Sequence, residues 1–322
     1  MNPILLNNQV LIFLLSEAIL FALALIAFAV AIQIVVRWDF GAFSERQFAL
    51  ERRAYLVMTI IVFVIVMKIV LLPYFVFTID NLSVLVPGAM CAAGVISAND
   101  YGLNLLALKL VIAFALTLWL ALNRHDLSAK DYPIFRPKTW LYLGIFVLLG
   151  LELWWDMMYF THIDIHLPVS CCSALFGQLE GANPLPFGLS RAMLLVLFYL
   201  LYAVSMGSML FRQRVITFFA TLLFMVIAYY SVVYFFGTYV YELPTHKCPF
   251  CMMQREYYFV GYLIWGSLFV GGFLALVWAI MGLFLSEDRA GERRSALGLL
   301  SLFVLLCSSY VAVYYLKNGV LL

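Results

Sequence analysis

The sequence predicts an all-α polytopic membrane protein with eight transmembrane helices, and three observations carry that expectation. Hydrophobic residues make up 66% of the 322 and charged residues 11%, with a mean hydropathy of +1.04, far from the roughly 45–50% apolar and 25% charged usage of soluble domains. Eight apolar runs each reach the length of about 20 residues that a helix needs to cross a bilayer. The loops between them alternate in positive charge, as segments on opposite sides of a membrane do.

In chain order the runs fall near 9–36, 54–79, 102–122, 140–161, 191–210, 215–238, 257–285 and 295–316. The first has neither a basic leader nor a small-residue cleavage site and is long enough to span, so it is expected to be a retained helix. The longest polar interval is about 30 residues, too short for a separate soluble domain. Residues 1–322 therefore read as a single transmembrane domain, with halves at 1–161 and 162–322. An internal echo supports the halves. Pro87 to Cys91 is followed after ten positions by Tyr101, and Pro244 to Cys248 after ten by Tyr258, each segment joining the second and third helices of its half.

Charge sets the expected orientation. Arg37, Arg46, Arg52 and Arg53 follow the first span, Arg124, Lys130, Arg136 and Lys138 the third, Arg212 and Arg214 the fifth, and Arg289, Arg293 and Arg294 the seventh. The remaining loops hold only Arg191, Lys247, Arg255 and Lys317. By the positive-inside rule the arginine-rich loops are cytoplasmic, and both termini lie outside, on the periplasmic side of a bacterial inner membrane. Cys91, Cys171, Cys172, Cys248 and Cys251 then all fall in outward loops, with Cys307 alone inside a span; His162, His166 and His246 are outward too, and His125 is cytoplasmic. The periplasm is oxidising, so disulfides persist there.

Five ionisable residues interrupt the spans: Glu17, Lys68, Lys109, Glu152 and Asp156. Charge at mid-bilayer costs on the order of 2.5–3.5 kcal/mol, so such groups pair or line a polar cavity. Glu152 and Asp156 are one turn apart on one helix face. The shared depth of all five, toward the cysteine side, points to one outward-facing polar site, and simple packing pairs are the alternative.

The chemistry concentrates in His246-Lys247-Cys248-Pro249-Phe250-Cys251-Met252-Met253-Gln254-Arg255, expected where a polar loop gives way to the seventh helix. A Cys-x-x-Cys pair closes a short disulfide or offers two thiolates to a soft metal, and a helix N-terminus and Arg255 would both favour thiolate. This string, running into Tyr257 and Tyr258, resembles the DsbB family of quinone-coupled disulfide oxidoreductases over about a dozen residues. The resemblance implies that Cys248 and Cys251 are the quinone-proximal redox pair, with Arg255 beside a bound quinone. Tyr257 and Tyr258 would offer it stacking partners. That family carries a second cysteine pair in a later loop. Here only Lys317 to Leu322 follow the eighth span, so shuttle thiols are expected from Cys171, Cys172 or Cys91. A plain structural disulfide is the competing reading of the motif.

Cys171 and Cys172 are adjacent, and an intramolecular disulfide between neighbours closes a strained ring. At most one is therefore expected to pair with a distant cysteine, the other remaining a thiol, or both are expected to bind metal. Met157, Met158, His162, Asp164 and His166 lie just upstream. Met90, Cys91, Met157, Met158, His162, His166, Cys171, Cys172, His246, Cys248, Cys251, Met252 and Met253 make an outward set of thiolate, imidazole and thioether donors suited to copper(I). Loop histidines are also commonly just solvated, and methionines in an apolar chain commonly just pack. Trp154, Trp155, Tyr159, Tyr239, Tyr241, Tyr257 and Tyr258 are expected chiefly as interface anchors.

A formal net charge of +2 with scattered basic residues argues against nucleic acid. There is no Walker loop, dinucleotide-binding glycine pattern, Gly-x-Ser-x-Gly elbow or His-Glu-x-x-His in the sequence. Three readings follow. The first is an inner-membrane thiol oxidoreductase passing electrons between a periplasmic thiol protein and a membrane quinone. The second is a soft-metal binder or transporter served by a metal chaperone, with copper held by Cys171, Cys172, Cys248, Cys251, His162, His166, His246 and Met252. The third is a lipid-embedded anchor subunit of a respiratory membrane complex.

Overall fold

A computed structural model describes residues 3–38, 44–128, 134–169, 188–285 and 289–322. The chain is an all-α polytopic membrane protein, and among the described residues eight helices are long and apolar enough to cross a membrane. They are α1 (Asn8–Arg37), α2 (Glu45–Leu82), α3 (Tyr101–Ser128), α4 (Phe135–Thr161), α5 (Arg191–Leu210), α6 (Arg214–Tyr241), α7 (Val260–Leu285) and α8 (Ala290–Asn318). Their outer faces carry exposed Leu, Ile, Val and Phe, the surface expected against lipid.

Helix ends follow capping chemistry as well as hydropathy. The Asn7 side chain accepts from the Gln9 amide at the start of α1, Ser44 from Gln47 at α2, and Ser190 from Met193 at α5. The cap at Ser44 lets α2 run to 38 residues, well beyond the apolar stretch at 54–79, with Arg46, Arg52 and Arg53 exposed on its polar extension. At the start of α4, Lys138 is not a loop residue. It is buried and paired with Asp126 at 2.5 Å and with Asn123 Oδ1 at 3.0 Å. Within α6, residues Val232–Phe236 form a π-helical turn.

Two compact units divide the chain. The first comprises Met1–Val86 and Val95–Leu167, and the second Pro87–Gly94 and Pro168–Leu322. Compared with halves at 1–161 and 162–322, the segment Pro87–Gly94 joins the second unit although it lies between α2 and α3 in sequence.

In the first unit α1 packs against α2 and α4, and α3 against α4. Ala24, Ala27 and Ala31 are buried along one stripe of α1. Small residues there allow close helix approach, and the Tyr142 hydroxyl donates across the gap to the Ala24 carbonyl at 2.8 Å. In the second unit α6 packs on α5 and α7, and α8 on α7. Phe198, Phe224 and Phe303 meet at its centre with ring centroids 5.5–6.1 Å apart. Tyr159, Tyr239 and Tyr241, expected at the membrane interface, are buried inside their units, whereas Trp154 is exposed as an anchor would be.

Candidate functional sites

The second unit gathers Cys91, Cys248 and Cys251, whose sulfurs all lie within 4.8 Å of one another. Cys91 Sγ and Cys248 Sγ are 3.6 Å apart, a thiol contact between residues 157 positions apart in sequence. All three side chains are buried.

Local backbone chemistry sets this geometry. The Tyr241 hydroxyl, at the end of α6, donates to the Cys248 carbonyl and accepts from the Met252 amide at 3.0 Å. One phenol thus clamps both ends of the Cys-Pro-Phe-Cys turn. Trp265 Nε1, one turn into α7, donates to the Pro249 carbonyl at 3.0 Å. Gln254 Nε2 donates to the Met90 carbonyl at 3.1 Å, tying the Cys91 segment to the same turn. That segment is fixed at its other side by the Val169 amide, which donates to the Pro87 carbonyl at 2.9 Å. Gly88 has φ +81°, and a Cβ on it would meet the Val169 carbonyl oxygen at 2.6 Å, so glycine is required there.

The expected helix N-terminus behind the cysteines is absent. Cys251–Met253 and Arg255–Tyr257 form two 3-10 turns, and Tyr258 and Phe259 adopt left-handed backbone with φ 54° and 57°. This break delays α7 to Val260, nine residues after Cys251, so the dipole of a long helix does not act on its sulfur. Met252 is buried against Gly261, where an added Cβ would meet Met252 Cγ at 2.6 Å. His246 packs edge-on to Tyr241, with centroids 4.2 Å apart. Arg255 and Tyr258 are exposed, while Tyr257 is half-buried against Tyr241. Burial first, then the charges of Cys251 and Glu256, hold the Tyr257 hydroxyl above its ordinary pKa.

His162 and His166 lie in the first unit and are exposed. Nδ1 of His162 is 2.8 Å from the Met158 carbonyl, and the His166 amide donates to Asp164. Cys171 and Cys172 fall outside the described residues. Cys307 is buried on α8.

The first unit holds a second cluster. Lys68 Nζ donates to Glu17 Oε2 and Glu152 Oε2, each at 2.6 Å, and Lys109 Nζ donates to Glu152 Oε1 at 2.8 Å and Asp156 Oδ2 at 2.9 Å. Glu17 comes from α1, Lys68 from α2, Lys109 from α3, and Glu152 and Asp156 from α4, so every helix of the unit contributes. Lys109 also sits over the rings of Phe13 and Phe75, 5.0 and 4.6 Å from their centroids. A cavity of about 10 Å³, room for about one water, is lined by Glu17, Lys68, Lys109 and Glu152 among apolar neighbours. The five intramembrane charges expected to share a site are thus in mutual contact.

Reading the chain alone missed the clamp residues Tyr241, Trp265 and Gln254. Tyr241 carried a signal, a tyrosine seven residues before the motif, but its hydroxyl partners are set by the fold. Comparison of the chain with protein-family models, with characterised proteins and with solved structures finds no match.

Proposed function

We propose that the chain is a thiol–disulfide oxidoreductase of the bacterial inner membrane that passes electrons from thiols of a periplasmic protein, through Cys248 and Cys251, to a membrane quinone. The observation that carries this reading is the convergence of Cys91, Cys248 and Cys251 sulfurs within 4.8 Å. A dithiol–disulfide chemistry needs sulfurs close enough to exchange, and closing a 3.6 Å contact to the 2.05 Å of a disulfide requires a shift of about 1.5 Å.

In this reading Cys248 and Cys251 begin each cycle as a disulfide. The Cys91 thiolate attacks Cys248, forming the Cys91–Cys248 bond and releasing the Cys251 thiolate. A partner thiolate then attacks Cys91 to give a mixed disulfide and release Cys248. The partner's second thiol resolves that bond, leaving the partner oxidised and Cys91, Cys248 and Cys251 reduced. Two electrons and two protons pass from Cys248 and Cys251 to the quinone, yielding quinol and restoring the starting disulfide. The resemblance of the Cys248–Arg255 segment to the DsbB family supports the quinone assignment, and in this reading Arg255, Tyr257 and Tyr258 would meet its ring.

Quinone reduction by a reduced dithiol protein is expected to fall by at least a hundredfold in Cys248→Ser and in Cys251→Ser. Unaltered turnover in either variant sinks the proposal.

The same three sulfurs favour a second reading, since three thiolates at this separation suit a soft ion such as copper(I) delivered by a metal chaperone. One copper bound per reduced chain, lost in Cys91→Ser, together with no quinone reduction, would select it.

A further inference from the structure

We infer that the charge cluster of the first unit is a membrane-embedded binding site for one exchangeable proton, carried by Asp156. It stands apart from the thiol chemistry proposed above, in the other unit and with different groups.

Three carboxylates, Glu17, Glu152 and Asp156, face two ammonium groups, Lys68 and Lys109. With every group ionised the cluster carries one excess negative charge, and all five side chains are buried. An uncompensated charge in a low-dielectric interior is strongly disfavoured, so one further cation is required. Asp156 is the group with room for it. Asp156 is fully buried, and its Oδ1 has no hydrogen-bond partner among the described residues although Oδ2 accepts from Lys109. A proton on Oδ1 removes both the orphaned acceptor and the excess charge.

The remaining surroundings favour a proton over an alkali ion. Four of the six carboxylate oxygens already accept a lysine hydrogen bond. Too few oxygens are left to replace the hydration shell of a metal ion. Lys109 Nζ, 2.9 Å from Asp156 Oδ2 and 2.8 Å from Glu152, would also repel an ion placed among the carboxylates.

The titratable groups facing Asp156 are accounted for from each element. They are Glu17 on α1, Lys68 on α2, Lys109 on α3, and Glu152 and Tyr159 on α4, the last engaged through its hydroxyl with the Val95 carbonyl at 3.0 Å. The 3-10 turn Pro3–Leu6, which also packs on α4, has no titratable side chain. The cavity against Glu17, Lys68, Lys109 and Glu152 has space for about one water; Asp156 does not line it and is joined to it through Lys109, which donates to both Asp156 and Glu152.

Infrared spectroscopy of the full chain in lipid at neutral pH tests this directly. The expected result is a carboxylic-acid carbonyl band that shifts in heavy water, responds to ¹³C-carboxyl aspartate but not to labelled glutamate, and disappears in Asp156→Asn. Absence of a protonated aspartate band in the wild type, or its persistence in Asp156→Asn, overturns the inference. If Asp156→Asn does not fold, Asp156→Glu decides: the band must move from the aspartate label to the glutamate label, and a band still answering to aspartate overturns the assignment. Loss of the wild-type band when sodium replaces a bulky organic cation at constant ionic strength would mean that an alkali ion takes the place of the proton, and also overturns it. Quinone reduction by thiols enters none of these readouts, so the two proposals fail separately.

Discussion

The two buried clusters are built in opposite ways. In the first unit, Glu17, Lys68, Lys109, Glu152 and Asp156 project from four long helices, and each position is fixed by the packing of whole spans. In the second, Cys91, Cys248 and Cys251 sit on short irregular segments, held by side chains that bind main-chain carbonyls. The first arrangement resists movement, because displacing one ammonium leaves carboxylates uncompensated in the membrane interior. The second tolerates movement, because thiols are neutral and need few hydrogen bonds. Disulfide exchange needs displacement of sulfur atoms, and charge storage needs fixed partners. Helix-borne charges and loop-borne thiols suit those opposite demands.

The largest effect that would sharpen this contrast is loss of Lys109. Lys109→Met removes the donor shared by Glu152 and Asp156, with an expected destabilisation of about 3–5 kcal/mol in detergent-solubilised protein. The double variant Lys109→Met, Glu152→Gln, which removes one negative charge along with the ammonium that paired with it, should recover part of that loss. Strict additivity in thermal or denaturant unfolding would break the description of the cluster as one coupled network.

A smaller effect is expected in the thiol unit. Tyr241→Phe deletes the clamp on Cys248 and Met252 while keeping the ring, at about 1–3 kcal/mol. Faster alkylation of Cys248 should accompany it, and unchanged alkylation would show that the hydroxyl does not position the turn.

Gly88→Ala acts at similar or lesser cost, about 1–2 kcal/mol, from left-handed backbone and the close Val169 carbonyl. Its informative readout is crosslinking. Mild oxidation should join Cys91 to Cys248 in the parent chain, and the yield measured by mass spectrometry should drop several-fold in the variant.

The smallest effect belongs to Cys307→Ala, a minor cavity on α8 costing about 1 kcal/mol. Thiol-dependent turnover should be unchanged, and a marked loss would add Cys307 to the working thiols.

The spans were legible because each is a long local run, and the helices contain every expected stretch within their limits except 257–285. The start of the seventh helix was misread. Hydropathy sees Tyr257, Tyr258 and Phe259 as apolar and cannot see the left-handed backbone that ends the 3-10 turn there. Tyr159, Tyr239 and Tyr241 were misplaced for a related reason, since an aromatic near a span end is equally compatible with lipid interface and core. The intramembrane charges were readable as a set from their shared depth. The cysteine motif was readable as a Cys-x-x-Cys pair, although nothing in its spacing distinguished Cys91 from the other loop cysteines as its neighbour.

The sequence by itself determined that this is an all-α polytopic membrane protein with eight apolar runs of spanning length, that charged side chains lie within its first four spans, and that a Cys-x-x-Cys pair, Cys248 and Cys251, precedes the seventh. Those properties follow from transfer free energies and backbone hydrogen bonds satisfied within one segment. Only the tertiary structure decided that Cys91 meets Cys248, that Tyr241 clamps their turn, and that Asp156 keeps one carboxylate oxygen without a partner among the described residues. Those contacts join residues up to 157 positions apart, and distance along the chain carries no information about which side chains helix packing will bring together.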